Sequence, residues 1–195
     1  MKNLILILAL FICSKNFGQS KYSYKQGYKF IKNAETAIKA GNLERAERNL
    51  EKAGNSNYGF CGNAWASAES QINLLKVEIY NQRKEFDKSF SVLDSIKGCG
   101  FGADCEARDS LKIVTLFLKF GKEKVKQSFK NVKSLDIKKI EFEPFYSVYL
   151  ADLNYTFIFQ DWDYTYFGDE NKNLKNDEDI FIKLIEKHNY YKLLE

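Results

Sequence analysis

The residues able to do acid–base, nucleophilic or metal chemistry are few and scattered. The chain has one histidine, His188, and four cysteines, Cys13, Cys61, Cys99 and Cys105. No cysteine shares a segment with a histidine and an acid, the arrangement an activated nucleophile needs. A zinc site at Cys61, Cys99 and Cys105 would need a fourth ligand, and His188 lies far away in sequence. The most suggestive segment is Asp161-Trp162-Asp163-Tyr164-Thr165-Tyr166-Phe167-Gly168. Two carboxylates beside aromatic rings have the chemistry of an acid–base pair or of a sugar-stacking surface. The same residues also read as an aromatic cap with solvated loop acids, and that reading is preferred. Asp169, Asn171 and Asn173 alternate as in a calcium loop. Leu174, however, stands where glycine is needed and Ile180 where the bidentate acid should be. The residue chemistry therefore predicts no catalysis, no cofactor and no metal, with glycan binding through Trp162, Tyr164 and Tyr166 as the alternative function.

Composition sets the frame in which any site must sit. The chain is 195 residues, 45% apolar and 29% charged, with one proline, which excludes disordered and collagenous classes. Met1-Lys2-Asn3 is a short basic head, Leu4 to Cys13 an unbroken apolar run, and Ser14 to Ser20 small and polar. This is the layout of a secretory signal over residues 1–18, with cleavage expected after Gly18. The apolar run is too short to span a bilayer. Lipidation at Cys13 is the lesser reading, because Ile12 is bulky where such a site wants a small residue. The expected location is the periplasm or cell envelope. Residues 19–132 carry 20 basic and 13 acidic groups, and residues 133–195 carry 8 and 13. The basic groups are interleaved with acids, as in Leu43-Glu44-Arg45-Ala46-Glu47-Arg48, so they read as solvated helix faces and not as a nucleic-acid surface.

Hydrophobic periodicity predicts helices from residue 24 to 132. Tyr28, Ile31, Ala34 and Ile38 recur at three and four, and after Gly41-Asn42 the stripe resumes at Leu43, Ala46, Leu50 and Ala53. Leu74, Val77 and Tyr80 followed by Phe86, Ser89, Leu93 and Ile96 give a second pair. Leu111, Val114, Phe117 and Leu118, then Gly121, then Val125, Phe129 and Val132 give a third. The expected fold is all-α.

Phe30, Ala34, Gly41, Leu43, Ala46, Leu50 and Ala53 follow the order of aromatic, small and glycine positions in which the chain resembles the tetratricopeptide repeat. Val77, Tyr80, Phe86, Ser89, Leu93 and Ile96 follow it with Lys84 in place of the turn glycine. Val114, Phe117, Gly121, Val125, Phe129 and Val132 follow it with a turn shortened by one residue. The resemblance implies a short right-handed array of about three helix pairs over residues 19–132, closed by an aromatic-rich, acidic cap over residues 133–195. It also implies a groove lined by the first helix of each pair. Its residues here would be Tyr28, Glu35 and Lys39, then Gln71, Glu78, Asn81 and Gln82, then Arg108, Thr115 and Lys119. Such a groove suits a protein or extended peptide partner, and the implied function is a non-catalytic scaffold or adaptor.

Two loops and the C-terminal region complete the expectations. Gly54 to Ser67 holds Cys61, and Gly98 to Ala107 holds Cys99 and Cys105. After export these three are disulfide candidates, either Cys99 with Cys105 or Cys61 bridging to the second loop. Residues 145–159 read as a fourth helix with Tyr146, Tyr149, Leu150, Leu153 and Phe157 on one face. The rival is a strand alternating through Leu153, Tyr155, Phe157 and Phe159 and paired with Tyr164-Thr165-Tyr166; continuity with the array favours the helix. Asp177-Glu178-Asp179 ahead of Ile180, Phe181, Leu184, Ile185, His188, Tyr191 and Leu194 predicts a terminal amphipathic helix.

Overall fold

The computed structural model describes residues 21–96, 104–140, 145–160 and 185–195. The expected signal at residues 1–18, Cys13, Cys99 and the segment Trp162, Tyr164 and Tyr166 lie outside them. Six helices come first: α1 (Tyr24–Lys39), α2 (Leu43–Gly54), α3 (Gly62–Gln82), α4 (Phe86–Ser95), α5 (Cys105–Phe120) and α6 (Lys122–Lys130). Helix starts follow local chemistry. Ser23 and Gln26 form a capping box on α1, Asn42 accepts from the Arg45 N–H at 3.1 Å on α2, and Asp104 accepts from the Ala107 N–H at 2.8 Å on α5. Each cap satisfies a donor that the first helical turn leaves open.

The α1–α2 and α3–α4 turns are built alike. Gly41 has φ +71° and Lys84 φ +61°. The Gly41 and Asn42 N–H groups donate to the Ile38 and Ala37 carbonyls, and those of Lys84 and Glu85 donate to the Asn81 and Tyr80 carbonyls, all at 2.8–3.0 Å. Both helices thus end in a left-handed residue that closes the last carbonyls. The third turn is shorter. Gly121, at φ +89°, both ends α5 and precedes α6.

Small residues mark the close helix approaches. Ala34, Ala46, Ala53, Ala68 and Ser89 are fully buried, in keeping with crossings that leave no room for a long side chain. Leu50, Ile72, Leu75 and Ile79 fill the space around them. Each such side chain contributes about 1.5–3 kcal/mol by leaving water.

The region after Lys133 corrects the all-α expectation. The protein is mostly helical, but β1 (Ile137–Lys139), β2 (Phe145–Leu150) and β3 (Tyr155–Gln160) form an antiparallel sheet in the order β1-β2-β3. Residues 145–159 are a hairpin and not a fourth helix. The alternation through Tyr155, Phe157 and Phe159 is that of a strand, and its partner is β2, with Tyr146 opposite Phe159 and Val148 opposite Phe157. Asn154 at φ +47° supplies the reversal, a conformation asparagine tolerates better than most residues. Tyr146, Val148, Leu150, Phe157 and Phe159 point inward and share one core with Ile113, Leu116, Val125 and Phe129 of α5 and α6. The sheet thus shares its core with the third helix pair.

The expected terminal helix is interrupted as well. His188 is extended (φ −78°, ψ 143°) and a 3₁₀ turn, Asn189–Leu193, follows. The break lets the His188 and Tyr190 rings stack, with centroids 5.2 Å apart and planes within 10°. In a continuous helix, residues two apart face opposite sides. Ile185, Tyr190 and Leu194 are buried in the same core.

Candidate functional site

The α1–α3 face is built from the loop between α2 and α3. Asn57 N–H donates to the Tyr22 carbonyl at 2.8 Å, the Tyr58 hydroxyl to the Ala53 carbonyl at 3.0 Å, and the Gly59 N–H to Asn57 Oδ1 at 2.8 Å. The loop lies so close to α1 that a Cβ on Gly27 would stand 2.8 Å from Ser56 Cβ and from the Tyr58 ring. That packing sets Tyr58 at the centre of a ring cluster, with Tyr28 at 5.4 Å and Trp65 at 5.3 Å, both edge-on. Tyr24 packs edge-on against Tyr28 at 4.9 Å. The Trp65 indole N–H donates to the Gly59 carbonyl at 2.7 Å. Tyr24 is 51% exposed, Trp65 is 42% exposed, and Phe60 stands fully in solvent. Tyr24 and Trp65 are held in place by these contacts yet remain open to a partner. Sequence reasoning missed this cluster, although tyrosines at Tyr24 and Tyr28 and a loop carrying Tyr58, Phe60 and Trp65 were its visible signal.

Charge continues the same face. Lys39 pairs with Glu35, and Glu78 on α3 lies close enough to feel both. Burial, reinforced by the Glu35 charge, holds the Glu78 carboxyl above the usual carboxylate range, while Lys39 opposes the rise. Glu35 itself is lowered by its hydrogen bond to Lys39. Gln71 is exposed and donates to Ser67 Oγ at 3.2 Å. Gln82 is exposed as well, with its side-chain nitrogen 3.5 Å from the Ile38 carbonyl. Tyr28 near Ala64 at one end and Ile38 near Gln82 at the other show that α1 and α3 run side by side in the same direction.

The remaining groove residues divide. Lys119 is exposed and pairs with Asp87 of α4 at 2.6 Å. Asn81, Arg108 and Thr115 do not line an open groove, because all three are buried. Asn81 donates to Thr115 Oγ1 at 2.9 Å and accepts from Ser89 Oγ at 2.8 Å, tying α3, α4 and α5 together. The Asp104 N–H reaches Ser70 Oγ at 3.3 Å, so α3 and α5 also run parallel, with a constant separation of 34 residues between contacting positions.

Helix α5 inverts the expected pattern. Val114 and Leu118 face solvent, while Arg108, Asp109 and Lys112 are 2–3% exposed. The Arg108 fork grips Asp109, Nε to Oδ1 at 2.7 Å and Nη2 to Oδ2 at 3.0 Å, and Nη1 donates to the Ile96 carbonyl at 2.8 Å. Lys112 Nζ lies 3.0 Å from Asp94 Oδ1 and donates to the Ile158 carbonyl at 3.1 Å. That carbonyl belongs to β3, which among the described residues is one of the two outer strands of the sheet. Burial pulls the Lys112 ammonium below its usual range, opposed by Asp109 and Asp94. The Tyr155 hydroxyl, beside the same two acids, is pushed upward chiefly by burial and makes no hydrogen bond. Nothing local distinguished these charges from a solvent face, since the sheet that covers them comes later in the chain.

Of the cysteines, Cys61 is a free, exposed thiol in this structure, whereas Cys105 is not a free thiol. Among the described residues no cluster of His, Cys, Asp and Glu is arranged to hold a metal, and no helix is long and apolar enough to cross a membrane. Comparison with protein-family models, with curated proteins and with solved structures finds no match for this chain.

Proposed function

We propose that the protein is an exported, non-catalytic scaffold or adaptor of the cell envelope, built as a tetratricopeptide-like array, that holds a protein or extended peptide across the α1–α3 face. The observation that carries this reading is the pair of fixed but exposed rings Tyr24 and Trp65, with Phe60 of the α2–α3 loop fully exposed, adjoining the charged group Glu35, Lys39 and Glu78. Rigid aromatic side chains next to polar positions give large contact area at little entropic cost, the usual anatomy of a protein-binding patch. Parallel neighbouring first helices and two identically built turns support the repeat-like arrangement. The third pair departs from it in its short turn and in the sheet that completes its core. In an oxidising compartment Cys105 is a disulfide candidate.

The test is quantitative capture from envelope extract by the full chain, beside Trp65→Ala, Glu78→Lys and Trp162→Ala variants of equal helicity. The adaptor reading expects one small set of proteins, lost with Trp65→Ala and Glu78→Lys and kept with Trp162→Ala. Capture that survives both face variants overturns it. Retention of polysaccharide instead, abolished by Trp162→Ala, would move the function to the aromatic segment at Trp162, Tyr164 and Tyr166 and make the protein a glycan-binding module.

A further inference from the structure

Between α4, α5 and the sheet lies a cavity of about 300 Å³. Leu93 and Ile96 form one wall, Phe145 and Ile158 the other, and Lys112 and Arg108 supply its polar end with Asp94 beside them. An apolar chamber with a few converging polar groups is the common form of a small-ligand site.

The polar groups differ in what they have left to offer. Arg108 is committed to Asp109 on one side and to the Ile96 carbonyl on the other. Lys112 has three N–H donors and two oxygen partners, Asp94 Oδ1 and the Ile158 carbonyl. Its side chain is 98% buried by the 2% exposure it retains, whereas that of Asp94 is 45% exposed. One donor of this buried cation is therefore without an oxygen acceptor, with the Phe157 ring 5.9 Å from the ammonium, and of the two carboxylates that balance it, Asp109 and Asp94, the second is half in water.

We infer that this cavity binds a small monocarboxylic acid with an apolar body, its carboxylate accepting the remaining N–H of Lys112 while its hydrocarbon part lies between Ile96, Phe145 and Ile158. A charge-assisted hydrogen bond to a buried ammonium favours a carboxylate over a neutral acceptor. Protein-like packing of the available space admits a body on the order of ten heavy atoms. Asp94 competes with such a ligand for the same ammonium, so the site has its own antagonist. The inference does not depend on the α1–α3 face.

The experiment is calorimetric titration of the full chain with octanoate and, separately, with octanol. Octanoate is expected to bind, and octanol about tenfold or more weakly. Asp94→Asn, at a half-exposed position, should tighten octanoate binding several-fold, and Lys112→Met should weaken it by about tenfold. Should Lys112→Met fail to fold, the octanol comparison and Asp94→Asn decide the matter. The inference is overturned if octanoate shows no binding at about 1 mM, if octanol binds as well as octanoate, or if Asp94→Asn leaves octanoate affinity unchanged or lower.

Discussion

Lys84 occupies, between α3 and α4, the left-handed backbone conformation that Gly41 occupies between α1 and α2, with φ of +61° against +71° and the same pair of closing hydrogen bonds. A side chain in that region costs about 1–2 kcal/mol, whereas glycine enters it without steric penalty. Part of that gain is offset by the greater freedom glycine has when unfolded. Lys84→Gly is therefore expected to raise stability by about 1 kcal/mol in urea unfolding, and Gly41→Ala to lower it by a similar amount. A destabilised Lys84→Gly variant would contradict the turn geometry.

Gly27→Ala tests the close approach that seats the aromatic cluster. The new methyl would meet Ser56 and the Tyr58 ring at 2.8 Å, so the loop must shift outward. A loss of about 1–3 kcal/mol is expected, together with a red shift in tryptophan emission as Trp65 leaves Tyr58. Unchanged stability and emission would show that the loop does not lie on α1.

Asn81 anchors three helices through two side-chain hydrogen bonds in a dry setting. Asn81→Ala should cost about 2 kcal/mol, since it leaves Thr115 and Ser89 without their partner. Thr115→Val in the same background should cost less than it does alone, because the shared bond is already gone. Strictly additive losses in a double-mutant cycle would disprove the coupling.

Glu78 gives the pH prediction. Its carboxyl is raised above its ordinary value of 4.5, by burial first and by Glu35 second. The folded protein thus keeps this proton to higher pH than the unfolded chain does, and the stability tied to it falls as pH climbs from 4.5 through the folded value. Glu78→Gln removes that loss. The variant should be more stable than the parent at neutral pH, with the difference closing on acidification below 4.5, as read by thermal unfolding across that range. A variant less stable than the parent at pH 7 would reverse the assignment.

How far the fold was legible depends on the distance over which each element is decided. The helix pairs follow from near-neighbour spacing, so Ile31, Ala34 and Ile38 or Ala46, Leu50 and Ala53 reveal their buried faces without reference to the rest of the chain. The hairpin is another matter. Tyr146, Leu150, Leu153 and Phe157 satisfy a helical stripe, and Tyr146, Val148 and Leu150 satisfy a strand; only pairing with β1 and β3 separates the two. The same dependence hid the charge cluster, because Arg108, Asp109 and Lys112 look like a solvent face until β3 is laid beside them. Val114 and Leu118 were misplaced for the complementary reason: apolar residues at helical spacing read as core, yet α5 turns that side to water.

The contact between Lys112 and the Ile158 carbonyl also bears on how the chain avoids self-association. Strand β3 runs Tyr-Thr-Phe-Ile-Phe-Gln, an apolar, uncharged stretch rich in β-formers of the kind that templates cross-β growth when its rim is bare. The ammonium of Lys112 occupies that rim at the Ile158 carbonyl, delivered from a helix and not from the strand itself. A charge seated there makes docking of a second strand electrostatically and sterically unfavourable. Lys112 thus acts as a gatekeeper supplied in three dimensions, which a scan of the strand's own sequence for protective charges would never find.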